Sequence, residues 1–446
     1  MRCFAVAAAM TFAVGNTQAQ VGQPANNKPI AVQSTNTPVT QKTIAVVGAK
    51  IYSGEGDPIE NGTVIVIDDK IKAVGKDIAV PAGAEVIQAK GAVVTPGFVD
   101  AITHVGLAEI DLEKSANDES DSKGDDRIRA AYRAVDAFNP ESTVIAVTRL
   151  GGITSVGVVP SGGVIAGLSA WADLTGKGAS DALTNTSLAV HVYLSAGSDP
   201  QGGSRGAIVR AVREAFDDAR FFQKNKSAWE RNQSRPFSAG RLDLETLSLT
   251  FGASGAGAKK TQPKVPVVFH ADKASTILSA LSVAQEFNLT PIIAGGAEAW
   301  KVRTTLAKAK VPVIVNPIQP GPDSFDTLGT RDNNAALLHE AGVPVIISTG
   351  ETHNSRKLRQ LAGNAVRAGL PHSAAITSIT KTPAEAFGMG EKYGTLKDGK
   401  WANLVIWSGD PLELSTKVTT LFIRGKKVPL VSRQTELLKK YRVARQ

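Results

Sequence analysis

Cysteine is almost missing from this chain: Cys3 is the only one. A disulfide framework is therefore excluded, and no cysteine nucleophile is expected once the segment carrying Cys3 is removed. Aromatic residues are scarce, at 5%. No uninterrupted apolar run reaches the ~18 residues that a membrane-spanning helix needs, so no membrane span is expected. Charge of one sign is also unconcentrated, although 50 Lys and Arg outnumber 41 Asp and Glu. In the most basic stretch, 205–231, the cations are interrupted by Glu214, Asp217, Asp218 and Glu230. Its aromatics, Phe216, Phe221, Phe222 and Trp229, fit the core-facing side of an amphipathic helix better than a base-stacking platform. A nucleic-acid partner is thus not expected.

What is present is ordinary globular material, 42% apolar over 446 residues, enough for one large domain with a satellite. The first residues read as a secretory signal over 1–19. Arg2 supplies a minimal basic start, an apolar run follows to Val14, and Thr17-Gln18-Ala19 precedes a cleavage point before Gln20. A secreted or periplasmic location is expected. Residues 20–42 are rich in Gln, Asn, Thr and Pro and read as a flexible linker, since they carry too little apolar surface to offset ordering entropy.

Short β-rich runs at 43–50, 62–68, 70–74 and 84–87, each bounded by Gly, Pro, Asp or Asn, predict an antiparallel meander, with a hairpin turning at Asp68-Asp69. From Pro96 the pattern becomes buried strands alternating with helices. Strands are expected at 97–105, 155–160, 188–194, 265–270, 291–295, 311–315 and 344–348. Helices are expected at 273–287 and 299–308, and one further strand within 161–187, best placed at 164–173. Strands resume at 402–407 and 418–424 and are expected to pair with the N-terminal meander; 432–445 reads as a terminal helix.

The run Val93-Val94-Thr95-Pro96-Gly97-Phe98-Val99-Asp100-Ala101-Ile102-Thr103-His104 resembles the barrel opening of the amidohydrolase superfamily, Pro-Gly-Phe-Val-Asp followed by a His-x-His pair. The strand end Val-Phe-His-Ala-Asp at His270 and the closing run from Gly394 to Trp407 are similar to the same family in the same order, nearest to imidazolonepropionase-like members. The resemblance spans about 43–428. It implies an α/β fold, a (β/α)8 barrel over 97–392, with a small β-sandwich built from 43–96 and 393–430 and a C-terminal helix within 431–446.

It also implies a hydrolase acting on carbon–nitrogen bonds other than peptide bonds, with a small cyclic amide or modified dipeptide as substrate and one divalent ion, zinc or manganese, activating water. His104 and His270 stand at ligand positions, while Ile102, Gly295 and Gly350 replace the first histidine, the sixth-strand histidine and the eighth-strand aspartate. Strand alternation predicts that Asp100, Ile102 and His104 point the same way. Glu351 and His353, just past Gly350, are the candidates for the catalytic role; Glu298 and His191 are further possible recruits. His339 and His372 are expected at the surface, 109–126 as a mobile acidic loop, and Ser161-Gly162-Gly163 as a tight turn or a set of amide donors. The alternative is a binding or partner subunit of the same fold that has lost its metal. Homo- or hetero-oligomers are both compatible with the sequence.

Overall fold

The computed structural model describes residues 41–120, 126–176, 178–195, 197–231, 233–252, 263–318 and 321–442. The expected signal, all but the last residues of the linker, and part of the acidic loop lie outside them.

Five strands open the fold: β1 (Thr43–Ile51), β2 (Ile59–Ile67), β3 (Lys70–Gly75), β4 (Glu85–Gln88) and β5 (Val93–Pro96). The β2–β3 hairpin turns at Asp68, whose φ of +52° is a conformation that Asp tolerates better than most residues. Ten strands follow: β6 (Phe98–Thr103), β7 (Ile153–Val158), β8 (Ile165–Leu168), β9 (Ala170–Asp173), β10 (Leu183–Asn185), β11 (Val190–Tyr193), β12 (Val267–Ala271), β13 (Pro291–Gly295), β14 (Val313–Val315) and β15 (Val345–Ile347). The last three are β16 (Leu404–Trp407), β17 (Val418–Ile423) and β18 (Lys426–Lys427). The chain ends in a helix at Arg433–Arg442, within the expected range.

Both chain ends join one sheet, in the order β18-β17-β16-β5-β1-β2-β3 with β4 on β1. The β5–β16 ladder carries the expected pairing between the N- and C-terminal segments. The hydrogen bonding makes it one eight-stranded sheet.

The middle strands form a four-stranded sheet, β10-β9-β7-β6, and a six-stranded one, β15-β14-β13-β12-β11-β8. From β11 to β15 every pairing is parallel, with helices such as Ala274–Phe287 in the connections. The segment expected at 164–173 departs from this. It splits at Ser169 into β8 and β9, and both run antiparallel to their neighbours, β11 and β7. The reason is the short link 159–164, which turns back through Gly162 (φ +87°) and Gly163 (φ +71°) with no room for the crossover a parallel strand requires.

Alternation sorts the side chains of these strands. Val267, Phe269, Ile293, Val313, Val345 and Ile347 join the large cluster shared with the helices. Val268, Ile292, Ala294, Ile314 and Ile346 face the other way into a second cluster with Ile102, Trp171 and Tyr393. His191, between Val190 and Val192 of the large cluster, therefore points to the second side. β6, at the outer edge of one sheet, meets the residues that follow β15, at the outer edge of the other: Ile102 N–H donates to Ser348 Oγ (2.9 Å), and Gly350 N–H to Ile102 O (3.2 Å).

Candidate functional site

Three imidazoles gather on the middle strands, His104 and His270 at carboxyl ends and His191 within β11. His104 follows β6, and its Nδ1–H donates to Val159 O at 2.8 Å, because a carbonyl only accepts. His191 and His270 come from adjacent parallel strands. The ladder pairs Tyr193 with His270, and the Tyr193 ring stacks on the His270 ring at 3.9 Å and 11°. Two residues back along β11, His191 Nδ1 lies 3.0 Å from His270 Nε2, and its Nε2 lies 2.9 Å from Ser169 Oγ. Ser169 is the residue at which the antiparallel segment breaks.

This environment disfavours positive charge. Burial pushes His270 down to about 3, helped by the nearby His104. His191, fully buried, is held well below the ordinary histidine range by burial, then by His270 and His104. Both rings are neutral at physiological pH. Burial and the Glu119 carboxylate push Tyr193 upward, so its phenol stays protonated and donates to Pro160 O at 3.3 Å.

Glu119, which the sequence offered only as one charge in an acidic stretch, belongs to this site. Its Oε2 is 3.6 Å from His104 Nδ1, and its Oε1 accepts from Ser161 Oγ at 3.2 Å. Ser161 N–H also donates to Glu119 O (2.8 Å), so the Ser161-Gly162-Gly163 turn positions an acid beside His104. Asp272 lies two residues beyond His270. A Cβ placed on Gly295 would meet Asp272 Oδ1 at 2.5 Å, so the Asp272 carboxyl fills the space beside the sixth-strand ligand position. Burial, with Asp326 nearby, raises Asp272 above the ordinary carboxylate range, against a hydrogen bond from Ala297 N–H.

Other expected members are placed elsewhere. Glu351 and His353 are exposed, carried outward past Gly350 (φ +68°), and the His353 ring lies 4.0 Å from Asp111 on the rim. Glu298 accepts from Ala274 N–H at 3.0 Å and pairs with Lys301 at 2.6 Å. It caps the helix Ala274–Phe287. His339 is exposed, as expected, whereas His372 is partly buried, paired with Asp410 at 2.9 Å and packed against Tyr52. The expected common face of Asp100, Ile102 and His104 is broken at Asp100. The β6–β7 register shifts between Asp100 and Thr103; Ile102 enters the second apolar cluster, and Asp100 turns into the contact with β15.

Residues 298–428 match the model of the amidohydrolase family. The chain carries an amidohydrolase-family domain. Amidohydrolase tasK of Hapsidospora irregularis is 23% identical over 397 residues, which cover 82% of this chain but only 39% of that longer protein. An imidazolonepropionase of Mesorhizobium japonicum is 25% identical over 80% of this chain and 88% of its own length. Among solved structures, an amidohydrolase of Thermotoga maritima superposes with a TM-score of 0.76 at 25% identity, covering 87% of this chain and all of that one.

Amidohydrolase-family proteins usually bind a divalent metal. His191 has both ring nitrogens engaged. Asp100 has its carboxylate saturated by Ser348, Thr349 and Ser355. Ile102, Gly295 and Gly350 offer no side-chain donor. What remains among the imidazoles is one nitrogen each on His104 and His270, and the Glu119 carboxylate lies at the His104 nitrogen that already donates to Val159 O, which leaves the set short of the three protein ligands of a typical catalytic zinc site. Among the described residues no cluster of three or more His, Cys, Asp or Glu has metal-binding geometry. As arranged, the residues do not complete the family's metal centre.

Proposed function

We propose that this chain is an exported hydrolase that cleaves a carbon–nitrogen bond, other than a standard peptide bond, in a small molecule bound beside His104, His191 and His270. The two middle sheets are read as the wall of one (β/α)8 barrel, with β8 and β9 as its third strand. The convergence of His104 and His270 from the carboxyl ends of separate strands, with His191 bonded to His270, carries the proposal, since this is where the fold places its chemistry. Similarity to proteins named amidohydrolase and imidazolonepropionase supports the bond class.

In this reading the neutral His270 ring holds the attacking water through its free lone pair. Asp272 sits two residues along the chain and has an affinity for protons raised by burial. It takes a proton from that water as oxygen attacks the carbonyl carbon, and returns it to nitrogen as the carbon–nitrogen bond breaks. Tyr193 keeps the His270 ring in place from one face.

The test is turnover of a panel of N-acyl amino acids, dipeptides and cyclic amides by purified protein, with and without zinc or manganese, alongside measured metal content. Hydrolysis that is lost in His270→Ala and Asp272→Asn supports the proposal. No turnover of any compound under either condition defeats it. That result would leave a binding or partner subunit, the reading favoured by the missing donors at positions 102, 295 and 350. Export is tested separately by the N-terminus of protein recovered outside the cytoplasm, expected at Gln20.

A further inference from the structure

The hydrogen bonds around His191 determine which nitrogen of His270 carries its proton. Ser169 Oγ lies 3.0 Å from Ala189 O and 2.9 Å from His191 Nε2. Because a carbonyl accepts and never donates, the single hydroxyl proton goes to Ala189, and Oγ must accept from His191 Nε2–H. His191 is fully buried with no acidic group bonded to it among the described residues, so it carries that one proton only. Its Nδ1 is then a bare lone pair, 3.0 Å from His270 Nε2, and accepts from His270 Nε2–H. A neutral His270 is left with its lone pair on Nδ1. No protein group bonds to that nitrogen among the described residues, and His270 is only partly buried.

We propose that His191 is a positioning residue for His270: together with Ser169 it fixes the His270 proton on Nε2, so that Nδ1 is the nitrogen presented to a bound molecule. The inference deepens the hydrolase reading above and uses the same site. Ser169 is available for this because the antiparallel segment breaks there, with Ser169 N–H and Oγ both anchored to Ala189 O. Stacking on Tyr193 restricts the remaining rotation of the His270 ring. The arrangement is that of an oriented histidine whose second partner sets its tautomer.

The chain has only six histidines, so the full-length protein labelled with 15N at histidine alone allows each ring to be assigned through substitutions. Long-range proton–nitrogen correlation at neutral pH is expected to show His191 and His270 both protonated on Nε2, with Nδ1 in the lone-pair form. His270 protonated on Nδ1 in the unsubstituted chain would overturn the proposal. In His191→Leu the Nε2–H of His270 loses its acceptor, and its tautomer is expected to become mixed. His191→Asn places Oδ1 near the former Nδ1 and should restore the single form. With a substrate from the panel, kcat is expected to fall roughly 10–100-fold in His191→Leu, with KM within about 2-fold, and to recover largely in His191→Asn. Equal losses in both variants, with an unchanged His270 tautomer, would reduce His191 to a packing role and sink the idea. The tautomer is read without substrate, so a catalytically silent protein would defeat the hydrolase reading alone, while the wrong tautomer would defeat this one alone.

Discussion

Gly295 illustrates how much one residue can conceal. The sequence marks it as a vacant ligand position, and the backbone there has a φ of +88°, with the Asp272 carboxyl 2.5 Å from where a Cβ would stand. Restoring the family's residue as Gly295→His is therefore expected to destabilise the fold by about 1–3 kcal/mol, read as a lower denaturant midpoint, without creating a zinc site. Stoichiometric zinc binding by that variant would contradict this. Asp100 carries a second residue-scale prediction. Burial raises it to about 6 against hydrogen bonds from Ser348 Oγ (2.5 Å), Thr349 Oγ1 (2.5 Å), Thr349 N–H (3.0 Å) and Ser355 Oγ (3.0 Å). A folded-state value above the unfolded one means that its favourable contribution is complete below about pH 4 and is lost as pH rises through about 6. Asp100→Asn turns an amide against these donors and should destabilise at every pH, by roughly 1–3 kcal/mol at pH 7. The gap to the parent chain should widen on acidification from pH 7 to 4 in urea titrations; a gap that narrows would show that Asp100 is not raised.

At the scale of elements, strands buried on both faces were legible and connections were not. The runs at 265–270, 291–295 and 311–315 became β12, β13 and β14 because both faces of each are buried, which leaves continuous apolar stretches in the chain. The sense of the 164–173 segment was illegible, since apolar content does not encode direction; the brevity of the 159–164 link does. The C-terminal helix Arg433–Arg442 is the opposite case. Its helical pattern is plain in the sequence, yet none of its residues is buried and Leu437, Leu438 and Tyr441 are exposed. Ending the chain after Ser432 is expected to move the thermal midpoint by no more than about 2 °C, because little apolar contact is lost. A drop of 10 °C in differential scanning calorimetry would show that the helix contributes a packing surface.

For the molecule as a whole, the two ends of the chain are joined to its middle by buried contacts. β16 pairs with β5, Trp407 Nε1–H donates to Thr95 Oγ1 at 2.9 Å and packs on Phe98, and Arg424 pairs with the fully buried Asp173 at 2.8 Å. Removing residues 404–442 is therefore expected to abolish cooperative unfolding altogether, followed by far-ultraviolet circular dichroism, because β5 would lose a neighbour and the large cluster would lose Trp407. A truncated chain that still unfolds cooperatively would show the terminal sheet to be dispensable. The amino-acid order by itself determined the strand and helix periodicities and the pairing of the two chain ends, since these depend on residue type at a known spacing; that Ile102, Gly295 and Gly350 stand where the family carries ligands is what the resemblance implies. Only the tertiary structure decided that Glu119 stands beside His104 while Glu351 and His353 are exposed, and that His191 faces His270. Those placements depend on where loops and strand registers bring together residues far apart in the chain, such as Asp111 and His353, and no local pattern of side chains encodes that.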